Sequence, residues 1–383
     1  MFGMELPIIQ APMAGPVFAD MVVAVSEAGG LGSLPCATMT AELARSELAR
    51  VRGRTKRPIN VNFFCHDQRV ERRHRVQVAP VQVLAVDELC QVLEHPHDQP
   101  ADEPGREMAW RRALEPYYRE FGLDPQAPYP SSSRNPFDDE FCGLVEEFRP
   151  EVVSFHFGLP SRPLLERVKS TGAKVLSSAT TVQEARWLEL NGCDAIIAQG
   201  FEAGGHRGSF LVADMATQVG TLALVPQVVD AVRVPVIAAG GIADARGIVA
   251  ALALGASAVQ IGTAYLFTPE ARLATPHRQA LRDERAEETA LTNVFTGRPA
   301  RGILNRVMRE LGPMSSVAPS FPLAGGALAP IRAAAEETGS GEFMSLWSGQ
   351  AARLCRELPA GELTRQLAAD AQGMLVRMGE RRG

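Results

Sequence analysis

The stretch with most chemistry in it runs from Ala198 to Gly208 and reads Ala-Gln-Gly-Phe-Glu-Ala-Gly-Gly-His-Arg-Gly. Its glycines, Gly200, Gly204, Gly205 and Gly208, let a backbone approach a flat ligand closely. His206 sits among them, and an imidazole there can reach a bound substrate and change protonation near neutral pH. The competing reading is a flexible loop with an incidental histidine. A second group joins Ala238 to Ile242 with Gln260 to Ala264. Each follows an apolar run. Gly240, Gly241 and Gly262 leave room for phosphate oxygens beside Gln260 and Ile261, and Thr263 adds a hydroxyl. Tight turning without a ligand would need the same glycines.

Three further positions are less specific. Pro12 and Met13 end an apolar run, where they either shelve an aromatic ring or simply stop a strand. Asn62 lies between apolar neighbours and needs hydrogen-bond partners, from a cofactor edge or from the protein. His156 alternates with Phe155 and Phe157, so it faces the other way. It is a substrate-site candidate or a satisfied core histidine.

These residues need elements to hold them. Short apolar runs recur at 7–13, 31–35, 59–64, 152–157, 174–180, 195–200, 234–240 and 258–263. Between most of them, apolar positions repeat at three- and four-residue steps over 19–28, 41–51, 162–170, 182–190, 221–232 and 244–254. Asp244 reads as an N-cap, and Thr180 or Thr181 as another. Buried strands alternating with one-sided helices predict a parallel sheet, and eight of them favour a closed (β/α)8 barrel over an open sheet. The candidate residues then fall at strand C-termini, where barrels carry their sites. Residues 1–270 are read as the barrel and 271–383 as a helical cap. Residues 65–150, after the third strand, form an insertion with a His- and Pro-rich stretch at 95–100 and a helix over 106–121.

The totals exclude several classes. The 383 residues carry a net charge of −5, with 46% hydrophobic and 22% charged residues, an ordinary globular composition with no nucleic-acid or membrane-surface character. The basic run at 69–75 is short. Six cysteines are scattered without C-x-x-C spacing, so neither a zinc ribbon nor a disulfide framework is expected, and no metal site. No run suits a membrane span or a signal peptide, and a reducing cytoplasm is the expected compartment. Pro35 interrupts the Gly30-Leu31-Gly32 start of a dinucleotide fingerprint.

Taken together, Gln10 to Gly15, Ala28 to Gly32, Asn60 to Phe64, Ser154 to Pro160, Gln199 to Gly208 and Pro235 to Ile242 resemble the signature segments of class I nitronate monooxygenases, formerly 2-nitropropane dioxygenases. The resemblance spans most of residues 5–270 and extends weakly to Trp347 to Gln350. It implies a barrel that binds FMN non-covalently and oxidises alkyl nitronates, such as propionate 3-nitronate, with O2 to a carbonyl product and nitrite. Carried over by position, Asn62, Gln199, Gly204, Gly205, Gly241 and Gln260 to Thr263 contact FMN, His206 is the active-site histidine, and His156 lies nearby. A small nitronate and O2 are the implied partners, and a homodimer is compatible. The chain departs from the family between Cys65-His66 and Pro100, where about thirty residues are additional. They either reshape substrate entry or form a surface loop. The nearest alternative is an FMN-dependent enoyl-acyl-carrier-protein reductase, which shares an Ala-Gly-Gly-His loop but uses NAD(P)H.

Overall fold

A computed structural model describes residues 2–66, 103–129 and 134–380. Eight strands form one parallel sheet: β1 (Ile8–Gln10), β2 (Gly32–Pro35), β3 (Ile59–Phe64), β4 (Val152–His156), β5 (Lys174–Ala179), β6 (Ala195–Gln199), β8 (Val236–Ala239) and β9 (Ala258–Ile261). The two ends of that sheet meet. Leu31 N–H donates to the Ile8 carbonyl at 2.9 Å and Gln10 N–H to the Leu31 carbonyl at 3.0 Å, closing a barrel. This is the (β/α)8 architecture expected from alternating apolar strands and one-sided helices.

Its outer ring comprises α1 (Ala19–Glu27), α2 (Ala41–Arg54), α4 (Asp139–Phe148), α5 (Arg162–Ser170), α6 (Val182–Leu190), α7 (Thr221–Ala231), α8 (Ala245–Ala253) and α13 (Ala360–Glu380). The helix following β3 begins the exceptions: α3 (Glu103–Glu120) leaves the ring for the mouth. Asp244 caps α8 through Arg246 N–H at 2.9 Å, and Thr181 caps α6 through Glu184 N–H at 3.2 Å. Thr180 instead donates its hydroxyl to Glu184 Oε2 at 2.7 Å. No described helix is long and apolar enough to cross a membrane.

Two ring helices lie where sequence patterning did not put them. The segment 65–150, read as insertion, contains α4, which packs on α2 and α5. Its signal was present: Asp138 caps Phe141 N–H at 3.0 Å, and Phe141, Cys142, Leu144 and Val145 bury one face. The ring is completed by α13, which packs on α1 and α8 and sends Leu363 and Leu367 into the main core. The expected cap over 271–383 therefore gives its last helix to the barrel.

Between α9 (Thr263–Leu266) and α13 the chain builds most of a second layer. It holds α10 (Thr275–Arg282), β10 (Thr289–Thr292), β11 (Ala300–Ile303), α11 (Arg306–Leu311) and α12 (Ala324–Glu337). This layer is not wholly helical, because β10 and β11 pair antiparallel, and β11 also pairs with β7 (Gly205–His206). That pairing ties the His206 loop to the cap. From the other side α3 packs on α12, with Trp110 Nε1 donating to the Ala324 carbonyl at 3.0 Å and the Tyr118 hydroxyl to the Ala327 carbonyl at 2.7 Å. The insertion and the C-terminal segment thus share one apolar cluster. The basic run at 69–75, Cys90 and the His- and Pro-rich stretch at 95–100 lie outside the described residues.

Candidate active site

A cavity of about 770 Å³ opens where the strands end. Residues at the C-terminal ends of all eight barrel strands line it, and the cap supplies its roof. Such a space falls within the ~300–1,000 Å³ typical of cofactor and substrate pockets.

Strand periodicity decides which expected residues reach the cavity. Pro12, Met13, Asn62, Gln199, Gly204, Gly205, Gly240, Gly241, Gln260, Gly262 and Thr263 line it, together with His156 and His206. Ile261 does not. Its side chain is fully buried in the main core, because successive residues of a strand face opposite sides and both Gln260 and Gly262 face in. Only its carbonyl takes part, accepting from Ala11 N–H at 2.8 Å.

The turns after β8 and β9 leave donors open. The N–H groups of Gly241, Ile242, Gly262 and Thr263 have no acceptor among the described residues. Gly240 needs its glycine for packing, since it has a φ of 111° and an added Cβ would lie 2.9 Å from Thr221 Oγ1. Gly262 is different. A Cβ there would meet Ala11 at 3.6 Å and Met13 Sδ at 3.8 Å, ordinary van der Waals contact, so packing alone does not demand a glycine. Beside it, Gln260 Oε1 is buried with no hydrogen-bond partner among the described residues. Across the mouth Asn62 donates to the Ser154 hydroxyl at 3.0 Å and its carbonyl at 3.2 Å.

The His206 loop is held at many points. Gln199 Nε2 donates to the His206 carbonyl at 3.0 Å, and Gln199 Oε1 accepts from Gly208 N–H at 2.7 Å. The amide of Gln199 is therefore engaged with the loop. Arg207, almost wholly buried, donates to the Gln199 carbonyl at 2.9 Å and to Gln218 Oε1 at 2.8 Å. Buried Glu184 accepts from Phe210 N–H at 2.7 Å and Leu211 N–H at 3.0 Å. The segment from Trp347 to Gln350 docks over both loops: Gly349 N–H donates to Thr263 Oγ1 at 2.9 Å and Gln350 N–H to the Glu202 carbonyl at 3.0 Å. Gly204 must be small, because an added Cβ would lie 2.5 Å from Gly349 N.

The three cavity histidines are all held neutral. His206 Nε2 lies 2.9 Å from Thr296 Oγ1, and its ring packs among Phe64, Phe157, Phe321 and Trp347. Burial pushes its pKa well below the ordinary imidazole value, and the cations of Arg134 and Arg298 push it the same way. His156 is lowered to about 4, chiefly by burial. Its Nδ1 lies 3.1 Å from Ser178 Oγ and its Nε2 3.3 Å from the His206 carbonyl. A carbonyl only accepts, so Nε2 carries the hydrogen and Nδ1 accepts from Ser178. Both nitrogens of His156 are thereby used, and it serves to position the His206 backbone. His277, lowered to about 4 by burial, donates from Nε2 to the Trp347 carbonyl at 3.0 Å. Phe157 adopts a left-handed φ of 70°, a conformation costing a bulky residue about 1–2 kcal/mol, with its ring against His206.

Sequence reading overlooked the arginines. Arg134, Arg272 and Arg332 line the cavity, and no Asp or Glu among the described residues does. Arg272 is committed elsewhere, over the Phe18 ring at 4.3 Å and 3.4 Å from Asp20. No periodicity or motif marked Arg134 or Arg332. Trp347 to Gln350 did carry a weak signal.

A closed parallel barrel with a roofed cavity at its strand ends, lined by histidines and arginines and by no Asp or Glu among the described residues, is the architecture of a barrel enzyme. The nitronate monooxygenase family model matches residues 1–370. A nitronate monooxygenase of Pseudomonas aeruginosa is 40% identical over 379 residues, covering 97% of this chain and 98% of that protein. One from Paraburkholderia phytofirmans is 39% identical over 371 residues, covering 96% and 92%. Among solved structures, a nitroalkane oxidase from Streptomyces ansochromogenes aligns with a TM-score of 0.82 and 37% identity over 98% of each chain. FabK from Thermotoga maritima aligns at 0.66 with 24% identity, over 99% of this chain and 96% of that one, and shares the fold. The chain belongs to the nitronate monooxygenase family and is an enzyme.

Proposed function

We propose that the chain uses FMN to oxidise alkyl nitronates with O2, releasing nitrite and a carbonyl product. One observation carries the reading: a single cavity joins open N–H groups on two successive strand-end turns, an orphaned Gln260 oxygen and a half-buried His206. The donors fit a phosphate. Gln260 and Asn62 fit the polar edge of a flavin ring, and Met13 and Pro12 its flat face. When bound, FMN supplies the electron chemistry that no side chain here can supply. The reading places the enzyme in the cytoplasm, where its described cysteines remain free thiols.

The protein's own contribution is orientation and charge. A nitronate arrives already deprotonated. Neutral His206 cannot neutralise it by itself, but one ring nitrogen can donate a hydrogen bond to a nitro oxygen. The positive charge comes from Arg134, which acts on His206 and lines the same space. Phe64, Phe157, Phe321 and Trp347 keep the space around the imidazole apolar, and that strengthens both interactions. A lowered pKa also makes His206 a weak base. Removal of a proton from carbon in a neutral nitroalkane is then slow, and preformed nitronates are the better substrates.

The test is nitrite release and O2 consumption with propionate 3-nitronate in air, without any nicotinamide. Matched nitrite and O2 traces are expected. Rapid anaerobic bleaching of the flavin by NADPH, with no nitrite formed, would favour an enoyl reductase instead.

A further inference from the structure

Thr296 belongs to the cap and meets the imidazole of His206. It sits in the turn between β10 and β11, where Thr296 N–H and Gly297 N–H donate to the Asn293 carbonyl at 3.3 Å and 2.7 Å. Gly297 makes that turn possible: its φ is 93°, and an added Cβ would lie 2.4 Å from the Pro319 carbonyl oxygen. The turn is hooked to the histidine loop, because Ala300 pairs with His206 and Arg207 N–H donates to the Pro299 carbonyl at 2.9 Å. These contacts set Thr296 Oγ1 2.9 Å from His206 Nε2. Thr296 is almost wholly buried, and its hydroxyl has one hydrogen to give. The Arg298 carbonyl lies at 3.3 Å, beyond the roughly 2.5–3.0 Å of an ordinary O–H···O bond, whereas Nε2 is in reach. Arg298 N–H approaches Oγ1 as a donor, at 3.4 Å. Were Nε2 to carry the ring hydrogen, it would donate to Oγ1 and leave the buried hydroxyl hydrogen only that distant carbonyl.

We propose that Thr296 is a positioning residue: it donates its hydroxyl hydrogen to His206 Nε2 and so fixes the ring in the form that carries its hydrogen on Nδ1. A neutral imidazole has one N–H, and with Nε2 accepting it must be Nδ1. His206 lines the cavity, and its Nδ1 has no hydrogen-bond partner among the described residues, so Nδ1 is the nitrogen left for a ligand. The consequence for the substrate rests on the nitronate reading, whereas the tautomer itself does not. An Nδ1–H meets a nitronate oxygen as a donor. The other tautomer turns a lone pair toward the anion, which repels it, but that lone pair is a base for a neutral nitroalkane. One hydroxyl on the cap thereby decides whether the imidazole serves as a donor or as a base.

The test uses the FMN-loaded full chain with its histidines labelled with nitrogen-15, and the variants Thr296→Val and Thr296→Ser. Nitrogen NMR tells a protonated ring nitrogen from a bare one, and the His206 signals are identified by their loss in His206→Asn. The wild type and Thr296→Ser should show the hydrogen on Nδ1, and Thr296→Val should show it wholly or partly on Nε2. A wild-type hydrogen on Nε2, or a tautomer that Thr296→Val leaves unchanged, overturns the inference even if nitronates are oxidised well. Hydrogen on Nδ1 that Thr296→Val moves supports it even if no nitronate is oxidised. Turnover gives a second readout on one carbon skeleton. Thr296→Val should lower kcat/KM for ethyl nitronate about tenfold, while freshly dissolved neutral nitroethane loses nothing, and Thr296→Ser should recover most of the loss. Equal losses with both substrates, or no recovery in Thr296→Ser, would reduce Thr296 to packing and overturn its role.

Discussion

At the residue scale, the proposed function turns on the charge state of one imidazole. His206 is packed among aromatic rings that desolvate it, flanked by cations and hydrogen-bonded to Thr296, and each of the first two effects disfavours its protonated form. Its pKa therefore lies below the usual imidazole range, and the neutral ring persists as pH falls through 6.5. Turnover of a preformed nitronate should show no titration near that value, with any acid limb attributable to His206 lying lower. Replacing His206 with Asn should reduce kcat/KM about a hundredfold or more while FMN stays bound. A pH–rate profile on the wild type and a kcat/KM measurement on the variant check both statements. A wild-type inflection at 6.5 that the variant abolishes would mean that the protonated ring is the working form. The position of His206 was legible from its glycine loop. Its neutrality was not, because the rings that desolvate it and the arginines beside it come from segments far away in sequence.

At the element scale, the turns after β8 and β9 matter most. They were legible because glycine pairs after apolar runs have few structural explanations. Their glycines do different work, however. Gly240 is small because Thr221 crowds it, whereas a Cβ at Gly262 would meet Ala11 and Met13 only at ordinary contact distance. Substitution at Gly262 tests the cradle with less crowding than at Gly240. Gly262→Asp should leave the fold intact by circular dichroism and weaken FMN binding about a hundredfold, since a carboxylate replaces the room left for a phosphate. Retained FMN affinity, measured by flavin fluorescence, would remove the phosphate from this turn. The misread elements have a common physical cause. Helix α4 was hidden because a long addition precedes it, and α13 because the whole cap is inserted before it. Periodicity identifies a helix but not the layer it joins. Ile261 was misread by one residue for the related reason that a motif names neighbours while a strand sends them to opposite faces.

At the scale of the whole molecule, the barrel and the cap divide the work. On the proposed reading, the barrel floor offers backbone donors and amides to FMN. The cap brings Trp347 to Gly349 down onto both loops, pairs β11 with the His206 strand, and carries Arg332 to the mouth. The barrel was readable from strand count and alternation, and the family from motifs in order. The joint core of α3 and α12 was not, because its contacts link residues more than two hundred positions apart. A structure of the FMN-loaded chain tests the central claim most directly. The phosphate should lie within hydrogen-bonding distance of the Gly241, Gly262 and Thr263 N–H groups, with the ring edge at Gln260 and His206 facing its plane. A phosphate seated instead between Arg134 and Arg332, with those N–H groups facing solvent, would contradict it.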